Sequence, residues 1–410
     1  MTAFAFRTAH ESGSARHGWF TTPHGVVETP AFMPVGTNAT VRGLTMTEVE
    51  STGARMVLGN AYHLSLRPGD AMVRALGGLH AFSRWPGPML TDSGGFQVYS
   101  LAKMREVDER GVRFKSPLDG AILDYTPERV IAIQRNIGAD VIMQLDELIE
   151  GQAPLDRSRA AMERSLRWLE RCRVAFDQIS RDGRVPLAEV PTPHGTPSLV
   201  GLATDDERVA SPQALFPIVQ GGITAELRRA SVAGIRSAGD WVGIAIGGLS
   251  VGEAKEAMYA TLDICDPDLP REVPRYLMGV GFPDDLIESV RRGVDLFDCV
   301  TPTRMGRHGT AFTPDGTLQI KRASHRLDRR PLVEGCTCAT CTHHDRAYLR
   351  HLFAAEEMLG LRLISLHNVH YLVQLLATAR TQLAAGSFAG WSADYLTRYR
   401  AGEALKLKKS

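Results

Sequence analysis

At 410 residues, 44% hydrophobic and 23% charged, the chain can bury a full core, which excludes a disordered protein. Its 47 Lys and Arg against 46 Asp and Glu leave a net charge of +1, excluding a globally basic nucleic-acid coat but allowing a local basic patch. No run of about 18 apolar residues occurs and the start MTAFAFRTAHESG lacks the build of a signal peptide, so a cytoplasmic protein without membrane contact is expected.

Residues 1–29 read as an N-terminal antiparallel lead-in, with Phe4 and Phe6 alternating, Gly13 and Gly18 at turns, and Pro23-His24-Gly25 turning the second arm. From Pro30 onward the pattern changes. Short apolar runs that end in small or polar residues recur as AFMPVG, MVLGN (56–60), PMLTDSGG (88–95), DVIMQLDE (140–147), FPIVQGG (216–222), WVGIAIGG (241–248), RYLMGVG (275–281) and LFDCV (296–300). Between them lie helix signals. Thr126-Pro127-Glu128 caps a helix that closes on Gly138; Pro154–Ile179 is amphipathic with Met162, Leu166, Leu169 and Val174 on its apolar side. Thr224–Ala238 begins behind a Thr, Ser250–Ile264 behind a Ser, and Pro283–Val294 completes the set. Eight apolar strands alternating with helices predict an α/β protein, a (β/α)8 TIM barrel over 30–300 rather than an open doubly wound sheet. The Pro- and Gly-rich stretch 181–213 reads as a surface excursion, or a lid. Residues 301–380 are expected to form a basic loop and a metal-stapled subdomain, and 381–410 a C-terminal helix and basic tail.

In such a barrel the chemistry sits where the strands end, and those ends here carry Asp92, Asp146, Gln220, Gly247-Gly248 and Asp298. Each alone is more often a turn residue or a helix cap; converging on one face, they predict a pocket. Two aspartates can divide labour as nucleophile and general acid/base in substitution at a sugar anomeric carbon, and Asp92 and Asp298 suit that pair. Asp146 and Gln220 match the amino-imino-carbonyl edge of a guanine-like base, with Phe96 or Met278 to cover its face. Arg304 and Arg307 follow Asp298 closely, and Lys321, Arg322, Arg326, Arg329 and Arg330 extend the basic run against only Asp315 and Asp328.

Six cysteines, three of them within Cys336-Thr-Cys338-Ala-Thr-Cys341, suit a reducing compartment with one metal site better than a disulfide framework. Cys172, Cys265 and Cys299 read as core residues. The box supplies three thiolates for a structural Zn2+, and spacing leaves the fourth ligand open among His343, His344, His351, His367 and His370. A metal-dependent hydrolase would need a His-x-His or carboxylate-His cluster at the strand ends, and the sequence offers none there.

Taken jointly, DSGGFQ (92–97), QLDE (144–147), IVQGG (218–222), IGGLSVGE (246–253), YLMGVG (276–281), FDCVTPTRMGR (297–307) and CTCATC followed by His367 resemble a bacterial tRNA-guanine transglycosylase of the queuine tRNA-ribosyltransferase family, from about Phe4 to His370. The resemblance implies a pentosyltransferase of queuosine biosynthesis: a (β/α)8 barrel with a zinc subdomain, acting as a homodimer. Such an enzyme exchanges the wobble guanine of tRNAs with GUN anticodons for a 7-deazaguanine base. It further implies that Asp298, rather than the nearby Asp295, attacks the ribose and forms a covalent intermediate, and that Asp92 is the general acid/base. Asp146, Gln220, Gly247, Gly248 and Leu249 would read the base, Phe96 and Met278 sandwich it, and Arg304, Arg307, Lys321 and Arg322 hold a tRNA whose target base is turned out of the stack. Cys336, Cys338, Cys341 and His367 match the zinc ligands. Val251 points to 7-aminomethyl-7-deazaguanine as the incoming base, with Glu253 beside its ammonium; a queuine-salvaging enzyme and a silent tRNA-binding barrel are the alternatives. The chain departs from the family pattern at Leu148, at Thr301 and in the length of 181–213.

Overall fold

A computed structural model describes residues 3–97, 105–183, 185 and 212–407. Three strands, β1 (Ala5–Ser12), β2 (Ala15–Thr22) and β3 (Gly25–Thr29), form an antiparallel sheet. Gly13 takes a left-handed φ in the first turn, as expected. Gly18 does not: it lies inside β2, where a Cβ would stand 2.5 Å from the Arg7 carbonyl oxygen of β1, so close approach of backbones rather than a turn demands the glycine.

The barrel strands are β4 (Ala31–Gly36), β5 (Val57–Asn60) and β6 (Met89–Asp92), then, after an insertion of three short antiparallel strands β7 (Arg105–Val107), β8 (Val112–Lys115) and β9 (Ile122–Tyr125), β10 (Val141–Met143), β11 (Ala214–Phe216), β12 (Ile218–Val219), β13 (Ile244–Ile246), β14 (Arg275–Leu277) and β15 (Leu296–Cys299). All pairings within the barrel sheet are parallel, and the order β11-β10-β6-β5-β4-β15-β14-β13-β12 runs through nine segments. β11 and β12 are one strand interrupted at Pro217. Proline has no N–H to give the ladder, yet its carbonyl still accepts from Ala245 at 2.8 Å while the Phe216 carbonyl accepts from Gln144 at 3.2 Å on the other side. The Gln144 side chain repairs the break by accepting from the Ile218 N–H at 2.8 Å. The interrupted strand therefore joins both ends of the sheet, and eight strands close a (β/α)8 barrel.

Its interior is filled by Met33, Leu58, Leu90, Met143, Phe216, Ile218, Ala245 and Tyr276, with Phe20 and Val27 of the antiparallel sheet in the same cluster. The Phe20 and Phe216 rings lie 5.9 Å apart, so the N-terminal sheet plugs the floor of the barrel and leaves the opposite end to the site.

The outer helices follow the expected periods with two corrections. Helix Pro127–Ile137 has Thr126 as N-cap, accepting from the Arg129 N–H, and Gly138 as its left-handed C-cap. The long helix Leu155–Asp182 buries Met162, Leu169 and Cys172, but Val174 is exposed, because a 28-residue helix drifts off a single stripe. The helix expected behind Ser250 starts only at Lys255, since Ser250 takes a left-handed φ in the preceding loop. Most of the 181–213 excursion lies outside the described residues. After β15 the chain enters helix Thr301–Arg307, the hairpin β16 (Thr310–Thr313) and β17 (Gly316–Gln319), and helix Met358–Ala384, which runs past the expected boundary at 380; helix Phe388–Leu407 ends the described chain. Asn368 locks these parts together, donating to the carbonyls of Pro302 and Thr310 and accepting from the Phe312 N–H, each at 2.9 Å. Among the described residues no helix is long and apolar enough to cross a membrane.

Candidate active site

The ends of β6 and β15 bring Asp92 and Asp298 to the same mouth. Asp298 is held on one oxygen: its Oδ1 accepts from the Tyr276 hydroxyl at 2.6 Å and the Gly279 N–H at 2.8 Å, while among the described residues nothing engages Oδ2. Burial raises its pKa above the ordinary carboxylate value, and those two donors oppose the rise. Asp92 accepts from the Asn60 amide at 2.6 Å and the Ala61 N–H at 3.0 Å, and from Gln97. Burial, helped by the negative charges of Asp298 and Asp146, pushes it up to about 7 against the pull of the Ala61 and Gln97 hydrogen bonds. A carboxyl with that value is divided between its two protonation states near neutrality, which is what a proton donor and acceptor requires. Asn60 and Tyr276 did not stand out in the sequence. Asn60 obeys the same rule as Asp92, a polar residue ending an apolar strand, and Tyr276 of β14 is two residues before Met278 in the run RYLMGVG.

Asp146 accepts from the Gln220 amide at 2.5 Å and the Ser93 hydroxyl at 3.5 Å, and burial carries its pKa up to about 6. The Gln220 Oε1 is buried with no partner among the described residues. Gly248 has φ +65, and a Cβ there would stand 2.3 Å from that same oxygen, so only glycine lets the two loops approach. Gly247 and Leu249 are buried beside it, Met278 is part-buried against the barrel interior, and Phe96 stands 54% exposed at the rim. Glu253 is turned back on its own loop, accepting from the Ser250 and Val251 N–H groups, so it fixes the left-handed bend.

Arg304 and Arg307 project from helix Thr301–Arg307 and have no carboxylate partner among the described residues; each meets only a threonine hydroxyl, Thr301 at 3.4 Å and Thr303 at 3.2 Å. Partial burial lowers the Arg307 pKa, and the charges of Arg42 and Arg304 add to it, marking a local excess of positive charge. Thr301 is buried, its hydroxyl 2.9 Å from the Cys299 Sγ, and so ties the helix start to the end of β15. Lys321 and Arg322 are exposed, the Lys321 ammonium 5.5 Å from the Phe353 ring centroid. Arg330 pairs with Asp328, and Arg329 with Asp345, so the basic run is partly neutralised beyond Arg326.

Cys336, Cys338, Cys341 and His367 form a group able to hold a metal ion. The His367 Nδ1 lies 3.8, 3.4 and 3.4 Å from their three sulfurs. A tetrahedral ion with bonds of about 2.3 Å to sulfur and about 2.0 Å to nitrogen needs such edges to be about 3.5 Å. The other ring nitrogen donates to the Phe312 carbonyl at 2.9 Å, which fixes Nδ1 as the ligand. His343, His344 and His351 lie outside the group, and His370 instead meets the Thr337 hydroxyl at 3.3 Å. A second cluster, His24, His80 and Asp140, sits at the other end of the barrel. There the two rings stack with centroids 3.7 Å apart and Asp140 also accepts from the Met89 N–H. Rings stacked face to face cannot both aim in-plane lone pairs at one ion, so the pair serves Asp140 as hydrogen-bond donors.

A family model described as queuine tRNA-ribosyltransferase matches residues 11–401. Relatives bearing that description include a protein of Herpetosiphon aurantiacus, 47% identical over 400 residues that cover 98% of this chain and 94% of its own. One of Symbiobacterium thermophilum is 48% identical over 399 residues, covering 97% and 92%, and one of Thermus thermophilus 48% over 399, covering 97% and 95%.

Proposed function

The chain belongs to the queuine tRNA-ribosyltransferase family, and from that premise we propose that it is a tRNA-guanine transglycosylase using Asp298 as nucleophile and Asp92 as general acid/base. The observation that carries the assignment is the contrast between the two acids at the mouth. Asp298 has one oxygen oriented by two donors and the other free to attack C1′ of the ribose, while Asp92 sits near neutrality and can protonate the departing guanine and later deprotonate the incoming base. Asp146, Gln220, Gly247, Gly248 and Leu249 read the base, and Phe96 and Met278 cover its faces. The target nucleotide leaves the anticodon stack to reach this buried pocket, and Arg304, Arg307, Lys321 and Arg322 hold its phosphates.

The incoming base is a 7-deazaguanine, and Val251, part-buried in the loop that Glu253 fixes, favours the small aminomethyl form over whole queuine. The tRNAs are those with GUN anticodons. The Cys336–Cys338–Cys341–His367 group holds Zn2+ in a structural role: no position is left for a substrate, and the group staples the helix that carries His367 to the hairpin following Arg304 and Arg307. A cytoplasmic homodimer belongs to the same reading. Two intact acids argue against a silent tRNA-binding barrel.

The test is base exchange. Radiolabelled guanine should enter a GUN-anticodon tRNA and fail to enter one whose wobble base is adenine. Among guanine, the aminomethyl base and queuine supplied in parallel, queuine should be used least. Tight tRNA binding without exchange of any base would overturn the proposal.

A further inference from the structure

Helix Ala225–Ala238 turns Leu227, Ser231, Val232 and Ile235 towards the barrel, and on that same buried side it carries Arg228. Arg228 is fully buried, and among the described residues no carboxylate pairs with it. Its guanidinium spends its donors on four backbone carbonyls. Nε meets Gly222 at 2.7 Å, Nη1 meets Val219 and Gly247 at 2.8 Å each, and Nη2 meets Gly248 at 3.4 Å. Burial drives its pKa down. A buried cation with no carboxylate in direct contact among the described residues, feeling the charge of Glu253 only at longer range, is an expensive way to fill an apolar helix face, and a methionine would pack there more cheaply.

The four carbonyls explain the choice. They belong to the last residue of β12 and to the two loops that follow β12 and β13, the loops that supply Gln220 and the Gly247-Gly248 pair. A trans peptide points its C=O and N–H in opposite directions. Turning the Gly247 and Gly248 carbonyls onto Arg228 therefore turns the N–H groups of Gly248 and Leu249 away from it, on the pocket side. Neither N–H finds an acceptor among the described residues, although both residues are buried. Two free donors in a buried site await an oxygen from outside the chain.

We propose that Arg228 is a positioning residue: it holds both glycine loops so that the Gly248 and Leu249 N–H groups receive the carbonyl oxygen of the base, and its charge strengthens them as that oxygen becomes negative. This rests on the transglycosylase reading. In that reaction the C1′–N9 bond breaks with its electron pair going to guanine, Asp298 bonds to C1′, and the Asp92 proton passes to the base. Negative charge gathers on the guanine oxygen as the bond lengthens, and preorganised N–H groups backed by a cation stabilise it more than they stabilise the bound ground state.

The experiment compares the full-length, metal-loaded wild type with Arg228→Met and Arg228→Lys. In Arg228→Met the KM for guanine should rise at least tenfold and kcat fall, while the KM for tRNA stays within twofold. The Gly248 and Leu249 amides should exchange with deuterium at least tenfold faster. Arg228→Lys, which cannot span four carbonyls, should recover part of the loss. Unchanged guanine constants in both variants would overturn the role of Arg228, as would an equal rise in both KM values, the mark of general loosening. If Arg228→Met does not fold, Arg228→Lys decides by the same split between the two KM values. A wild type that exchanges no guanine would instead overturn the transglycosylase reading, and with it the role assigned to Arg228.

Discussion

Asp295 and Asp298 stand three residues apart at opposite ends of β15, in opposite environments. Asp295, at the plugged floor, is fully buried and paired with Arg16, whose guanidinium is also buried, and it accepts from the Arg275 N–H at 2.7 Å. Asp298, at the mouth, has neutral donors on one oxygen and, among the described residues, no cation paired with it. The same division separates Asp140 from Asp92. Burial pushes Asp140 up, but hydrogen bonds from His80, His24 and the Met89 N–H hold it below the ordinary carboxylate range, whereas burial and like charges take Asp92 up to about 7. At the floor the acids pair with Arg16 or with imidazoles, and at the mouth, among the described residues, they are held by neutral donors.

Substitutions should separate the two ends. Asp298→Asn should lose base exchange by at least ~10⁴-fold, the scale on which removing a nucleophile acts, while melting at or above the wild-type temperature because it removes a desolvated charge. Asp92→Asn should cost ~10²–10⁴-fold, the range for a lost general acid/base. With Asp92 as the proposed general acid, guanine release from tRNA in a single turnover of wild type should slow as pH rises through about 7. The stability sign runs the other way from a salt-bridged acid. A folded pKa raised from 3.8 to about 7 means the native state holds the proton more tightly, so wild type loses stability across that window and Asp92→Asn should gain on it in melting temperature.

Asp295→Asn should reverse the pattern. Leaving Arg16 buried without its partner should cost ~3–5 kcal/mol of stability in a melt, with the folded fraction still exchanging guanine. The smallest effects belong to the rim. Arg304→Ala and Arg307→Ala should each weaken tRNA binding and lower the slope of log affinity against log salt by about 1, with the KM for free base unchanged.

Most of the barrel was legible because parallel strands buried on both faces leave continuous apolar runs, and FPIVQGG read as one strand even though Pro217 breaks it. The β7–β9 insertion was not legible. Its strands are three or four residues long, and the residues of β8 alternate between buried and exposed, too brief a period to stand out. Within the candidate site, the strand-end rule singled out Asp92, Asp146, Gln220 and Asp298, which the fold brings to one mouth, since the chemistry of these residues is their own. Asn60, Tyr276 and Arg228 escaped because their importance lies in what they touch. On a helix read by period alone, Arg228 is simply a charged residue, and only the packed fold puts it beneath two glycine loops. Spacing left five candidate histidines for the metal; the helix that returns across the box leaves His367.

The most direct test of Asp298 is to incubate the protein with a GUN-anticodon tRNA in the absence of free base, quench in denaturant, digest with nuclease and protease, and map the ribose adduct by mass spectrometry. The adduct should sit on the peptide containing Asp298, with one guanine released per adduct, and should be absent from Asp298→Asn. An adduct on another residue, or guanine exchange at the wild-type rate by Asp298→Asn, would contradict the assignment.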